Sequence, residues 1–198
     1  MLKSRLCIAF FAFAVGCAPA QKPLTDYVNP MLGTATLWDS VDLGFKPTKR
    51  TWGAEVFPGS SLPNAMVQVS PVTKFHSGAG YQYEDSVIYG FTHTNKGHWN
   101  LCHIPLLPVT GTPTPGDYCS PFSHERESAA PGYYQVFLDR YGVDAQLSST
   151  LRCAFHKYTY PAGAAASLLA DLQRSNEHVR AWDIRKEGDN VFAGWQQT

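Results

Sequence analysis

Neither sign of charge prevails in this chain: 16 Lys and Arg stand against 16 Asp and Glu, with no basic stripe. Nucleic-acid binding therefore has no electrostatic support, because it draws its affinity from clustered cations against phosphates. No hydrophobic run is long enough to cross a bilayer, which takes ~20 apolar residues; the run Leu6 to Val15 stops far short. Cysteine is scarce and no C-x-x-C pair occurs, so the usual ligand spacing of structural zinc is missing. There is no G-x-S-x-G elbow, no H-E-x-x-H and no phosphate-cradling loop, which leaves no self-contained catalytic motif. A long amphipathic helix is absent as well. Ala162 to Leu172 is the best helix alternative, but Pro161 and Gly163 weaken its start.

Aromatic residues are plentiful, at 13% within 44% hydrophobic content, which favours a folded globular chain over a disordered one. The 198 residues suffice for one domain with a real core. Ten Tyr, eleven Phe and five Trp among many Gly and Pro suit an all-β fold rich in turns. Strands are predicted at Ala65–Val69, Val87–Thr92, Ile104–Val109, Tyr133–Leu138, Val143–Leu147, Cys153–Tyr160, Ser167–Asp171, Val179–Ile184 and Val191–Trp195. From Tyr133 onward they start roughly ten residues apart with turn signals between them, the spacing of a sandwich or barrel. Within Ala154 to Tyr160, alternation puts His156, Tyr158 and Tyr160 on one face and Phe155, Lys157 and Thr159 on the other. Tyr141-Gly142 requires a glycine at positive φ in a hairpin turn. The last predicted strand runs into Gln196-Gln197-Thr198 with no stop signal, so the chain reads as a module truncated at its C-terminus.

The start of the chain reads as a targeting segment. Lys3 and Arg5 precede the apolar run, and Ala14-Val15-Gly16-Cys17 follows it, a small residue before cysteine as in a bacterial lipoprotein signal. Residues 1–16 are then the signal peptide, Cys17 the lipidated first mature residue, residues 17–26 a linker and residues 27–198 the domain. Cleavage by an ordinary signal peptidase near Ala18 or Ala20 is the alternative, since Ala14 stands where Leu is usual. Either way the protein is exported, to the periplasm, outer membrane or cell surface of a bacterium. Cys102, Cys119 and Cys153 remain, giving one disulfide with a free thiol or three buried thiols.

Two segments attract functional attention. Leu37 to Gly53 lacks alternation, carries turn and charged residues, and reads as a long loop. Between two strands, His93, Asn95, His98, Trp99, Asn100 and His103 crowd a polar, glycine-containing loop, where binding groups are often displayed. His and Asn offer directional hydrogen bonds to sugar hydroxyls, and Trp offers a flat apolar face to a pyranose ring. A loop whose His and Asn bond its own backbone is the plainer alternative. Paired carboxylates, which glycoside hydrolysis needs, are represented only by adjacent Glu84-Asp85, which read as solvated turn residues.

Three blocks in order carry a resemblance: FPGSSLPNAMVQVSP (Phe57 to Pro71), GYQYEDSVIYGFTHT (Gly80 to Thr94) and PGYYQVFLDRYGVDAQLSSTLRCAFHKYTYP (Pro131 to Pro161). Together they resemble the N-terminal domain of glycoside hydrolase family 92, the calcium-dependent exo-acting α-mannosidases, from about Tyr27 to the end of the sequence. The family's Gly-Tyr-x-Tyr and Gly-Phe-Ser-His-Thr elements are matched by Gly80 to Tyr83 and Gly90 to Thr94. Two segments depart from its pattern: Asn95 to Asn100 replaces a Ser-Gly-Thr-Gly-like loop, and Trp52 to Glu55 replaces a Gly/His-rich run.

The resemblance implies an antiparallel β-sandwich of the galactose-mutarotase-like kind, a supersandwich, packed on an (α/α)6-barrel domain. It implies an inverting mechanism with a Glu general acid and an Asp general base. Calcium, which binds mannose hydroxyls and favours ring distortion, is implied to bind the barrel domain. All catalytic and calcium groups are expected outside these 198 residues, so the chain alone is predicted inactive, with mannose-containing glycans and the barrel domain as partners. By the same implication His93, Asn95, His98, Trp99 and Asn100 are the substrate-contacting candidates, with Trp99 as the stacking residue. A non-catalytic carbohydrate-binding module at the cell surface and a purely structural sandwich fragment are the competing accounts.

Overall fold

The structure is a computed structural model of the chain, and it describes residues 22–36, 44, 56–96 and 99–198. The predicted signal segment, residues 17–21 of the linker with Cys17, His98 and nearly all of Leu37 to Gly53 lie outside the described residues.

A 3-10 turn at Leu24–Tyr27 is followed by β1 (Ser60–Ser61), β2 (Gln68–Val72), β3 (Val87–Ile88), β4 (Gly90–Thr92), β5 (Asn95–Lys96) and β6 (Trp99–Asn100). Then come β7 (Leu106–Thr110), β8 (Ser120–Pro121), a 3-10 turn at His124–Arg126 and β9 (Glu127–Ala130). The chain closes with β10 (Tyr133–Leu138), β11 (Val143–Ser149), β12 (Ala154–Thr159), β13 (Ala166–Ala170), β14 (Ala181–Lys186) and β15 (Phe192–Gln197). Two antiparallel sheets form the body, in the orders β1-β2-β4-β7-β13 and β12-β11-β10-β9. Three two-stranded ribbons complete it: β3-β8, β5-β6 and β14-β15.

Period-two alternation builds the four-stranded sheet. Tyr134, Val136 and Leu138 of β10 and Val143, Ala145 and Leu147 of β11 are all fully buried. The register Tyr134↔Leu147, Val136↔Ala145, Leu138↔Val143 puts them on one face. Val69, Phe91, Leu107 and Val109 of the other sheet, with Tyr81 and Ile88, complete one core cluster against them. Burying apolar side chains between two facing sheets is what holds the layers together, at ~25 cal/mol per Å² of apolar surface. The expected all-β antiparallel sandwich is therefore what this sequence forms. Gly142 turns the β10–β11 hairpin at φ +64°, as that turn demands.

Several strand bounds differ from the sequence reading, each for a local reason. Ala65 and Met66 are not in β2: Asn64 adopts φ +57° in a turn closed by Ala65 N–H donating to Leu62 O (3.1 Å), and Met66 is exposed. Val87–Thr92 is divided into β3, which pairs with β8, and β4, which pairs with β2 and β7. Ala162 to Leu172 is a turn, with Ala164 N–H donating to Pro161 O (3.1 Å), followed by β13. The ribbon β14–β15 is tied to the rest by Gln196 Nε2, which donates to Leu172 O at 2.9 Å and Arg174 O at 3.3 Å.

Candidate functional site

The polar loop of the sequence reading is a β-hairpin. Asn95 pairs with Asn100 and Lys96 with Trp99, so β5 and β6 form a two-stranded antiparallel ribbon. Trp99 is 40% exposed at the outer end of this ribbon. At the base the polar groups are turned inward. Asn100 is fully buried; its Oδ1 accepts from Cys102 N–H (2.7 Å) and from Thr92 Oγ1–H (3.2 Å). The first of these is an Asx turn, which carries the chain through Cys102 at φ +52°. Asn95 Nδ2 donates to Gln68 O at 3.1 Å, which ties β5 to the end of β2. Gly80 of the Gly-Tyr-x-Tyr element sits against this base at φ +76°, and a Cβ there would lie 2.6 Å from Asn100 Nδ2.

A distant residue closes the same base. Asn176 Nδ2 donates to Asn100 O at 2.5 Å, its Oδ1 accepts from His76 N–H at 2.6 Å, and its own N–H donates to Leu101 O at 2.9 Å. His103 follows between Cys102 and Ile104, both at positive φ, and its Nε2 is buried with no hydrogen-bond partner among the described residues. Burial lowers the proton affinity of His103, with the Glu177 charge pulling the other way.

His93, between β4 and β5, is half-buried. Its Nε2 lies 2.7 Å from Nε2 of His156 on β12, and Nδ1 of His156 lies 2.6 Å from the hydroxyl of Tyr158. The His156 ring sits edge-on to Phe91, with centroids 6.2 Å apart, and the His93 ring lies 4.9 Å from that of His156. Burial depresses the proton affinity of His93. Burial, with His93 adding to it, depresses His156 to about 4, so the pair is neutral near pH 7. His156 is thus a hydrogen-bonded sandwich histidine, on the face it shares with Tyr158.

The profile of the glycosyl hydrolase family 92 N-terminal domain matches residues 27–198. The chain belongs to this family. Among solved structures, the family GH92 α-mannosidase BT3965 from Bacteroides thetaiotaomicron is similar at 29% identity and a TM-score of 0.75. The match covers 88% of this chain and 24% of that protein. The same enzyme in complex with mannoimidazole gives 30% identity and a TM-score of 0.73, over 88% of this chain and 23% of that one. The family GH92 inverting mannosidase BT2199 of the same organism gives 25% identity and a TM-score of 0.60, over 77% and 20%. This chain therefore spans about a quarter or less of the length of these enzymes. No match was found among curated proteins.

In this family 92 domain one buried polar centre has no signal in the sequence. Glu127, with its side chain 1% accessible, accepts from Tyr134 Oη–H at 2.6 Å and from Tyr81 Oη–H at 3.0 Å. Nδ1 of His124 stands 2.5 Å from the same carboxylate, and Nε2 of His124 stands 2.7 Å from Tyr83 O. The ring of Tyr83 stacks flat on His124 at 3.9 Å. Burial, with the Glu127 charge, drives both tyrosine hydroxyls far above their ordinary range, so they remain donors. Adjacent Glu84 and Asp85 are more than solvated turn residues. Glu84 accepts from Thr36 N–H at 2.7 Å and Asp85 from Thr73 Oγ1–H at 2.8 Å.

No group of three His, Cys, Asp or Glu side chains among the described residues is placed to hold a metal ion. Cys102 is buried, Cys119 half-buried and Cys153 exposed, all three as free thiols. A groove of about 690 Å³ lies away from the hairpin, between β13 and β14, walled by Leu168, Trp182 and Ile184.

Proposed function

We propose that this chain is the N-terminal, pocket-shaping and carbohydrate-contacting domain of an exported α-mannosidase, in which an (α/α)6-barrel domain supplies the catalytic Glu and Asp and the calcium. The family match over residues 27–198 carries the reading, supported by likeness to two family GH92 mannosidases over a quarter or less of their length. In this reading the hairpin edge faces the terminal mannose of a glycan. Trp99 presents its indole face to the sugar ring, and His98, its neighbour in the sequence, offers a hydrogen bond. His93, Asn95 and Asn100 hold that edge in place from behind, and His93 contributes its free ring edge. Export with a lipid on Cys17 belongs to the same proposal.

The purified chain is expected to release no mannose from α-mannosides with or without calcium, because both proton-transfer groups are missing. The same residues joined to a family 92 barrel domain are expected to release it in a calcium-dependent way. Calcium-dependent hydrolysis by the 198-residue chain alone overturns this division of labour.

A further inference from the structure

The line Tyr158 Oη, His156 Nδ1, His156 Nε2, His93 Nε2 is continuous, with separations of 2.6 and 2.7 Å at its two hydrogen bonds. It starts on β12 in the four-stranded sheet and ends just beyond β4 in the five-stranded sheet. Burial keeps both rings neutral near pH 7, so each carries one proton, and only one of the facing Nε2 atoms can hold it.

Two orders of donation are chemically complete. In the first, Tyr158 O–H donates to His156 Nδ1, His156 Nε2–H donates to His93 Nε2, and the His93 proton sits on Nδ1. In the second, His93 Nε2–H donates to His156 Nε2, and His156 Nδ1–H donates to the Tyr158 oxygen. Neither Tyr158 Oη nor His93 Nδ1 has a further hydrogen-bond partner among the described residues. His93 Nδ1 is not among the buried atoms left without a partner, so its edge is open to water or a ligand in either order. The second order alone strands a group of the line itself, the Tyr158 proton, on a hydroxyl that burial pushes above its ordinary range. A polar hydrogen left without a partner away from water is the costly case, so the first order prevails.

We propose that Tyr158 and His156 are positioning residues that fix the ring proton of His93 on Nδ1 and present it as a donor to an oxygen of a bound sugar. The inference rests on the reading of the hairpin edge as a sugar-contacting surface. It adds the polarity of the contact: His93 meets a hydroxyl or ring oxygen acting as acceptor. Three residues from two sheets, none of them on the hairpin, thus set one hydrogen bond at its foot.

The test is a long-range proton–nitrogen correlation spectrum of the whole chain, labelled with ¹⁵N at histidine, near pH 7. The expected result is a neutral His93 protonated on Nδ1 and a neutral His156 protonated on Nε2. A His93 proton found on Nε2 overturns the proposal without any variant. In Tyr158→Phe the phenol proton is gone, and the His93 proton is expected to move to Nε2 in a measurable share of molecules; an unmoved proton overturns the role of Tyr158. Added methyl α-mannoside is expected to shift the His93 Nδ1 signal and to bind Tyr158→Phe about fivefold more weakly, the scale of one hydrogen bond. If the protons lie as expected and the mannoside leaves His93 untouched, the sugar-contact reading fails while the proton order stands.

Discussion

His93 and His156 face each other across the sandwich with their Nε2 atoms 2.7 Å apart, and one shared proton joins them. A second proton on the pair sets two N–H donors head to head at a half-buried site.

Acid is therefore expected to destabilise this domain. His156 is held at about 4 against 6.5 in the unfolded chain, and His93 and His103 are lowered in the same direction. Between those values the unfolded chain binds a proton that the folded chain refuses. Stability is thus fully present above pH 6.5 and falls as pH drops toward 4, by up to about 3 kcal/mol from His156 alone. Urea unfolding at pH 7 and pH 4.5 measures this. Equal midpoints contradict the pairing, and His156→Gln is expected to flatten the difference.

Glu127→Gln tests the buried carboxylate. The amide offers one acceptor oxygen where two met Tyr81, Tyr134 and His124, and leaves at least one buried donor unmatched. A loss of about 2 kcal/mol in chemical denaturation is expected, with an unchanged m-value. A change below about 0.5 kcal/mol shows that water or a rearranged hydroxyl replaces the carboxylate.

Gly80→Ala strikes the hairpin base from the loop between β2 and β3. The new methyl sits at φ +76° and meets Asn100 Nδ2 at 2.6 Å. Destabilisation beyond about 1 kcal/mol is expected, with displaced amide signals for Asn100 and Cys102. Unmoved signals at those two residues exclude the contact.

Trp99→Ala separates binding from folding. The side chain is 40% exposed on a ribbon outside the core, so stability is expected to change by less than about 0.5 kcal/mol. Mannoside affinity is expected to fall severalfold, read by titration calorimetry. Undiminished affinity removes Trp99 from the sugar contact.

Much of the sandwich was legible because alternation and punctuation coincide. Tyr133–Leu138 is bounded by Pro131-Gly132 and by Tyr141-Gly142, and the strand keeps those limits in the structure. The face shared by His156 and Tyr158 followed from the same period. Short strands such as β1, β8 and β9 escaped because two to four residues give no period to read. The hairpin edge was legible only as a crowd of residue types. Which of them turn inward is decided across the sheets: Asn100 by Gly80 and Asn176, His93 by His156. Glu127 was invisible for the same reason, since Tyr81, 46 residues away, supplies one of its donors.

Asn176 has a consequence in time. It closes the base of the hairpin over a separation of 76 residues from Asn100 and 100 from His76. On the ribosome, β4 and β7 emerge and can begin to pair while this staple is still unsynthesised. The core can therefore start to assemble before the edge, and a nascent chain halted short of residue 176 would bear a sandwich whose candidate sugar-facing rim has not yet been fastened.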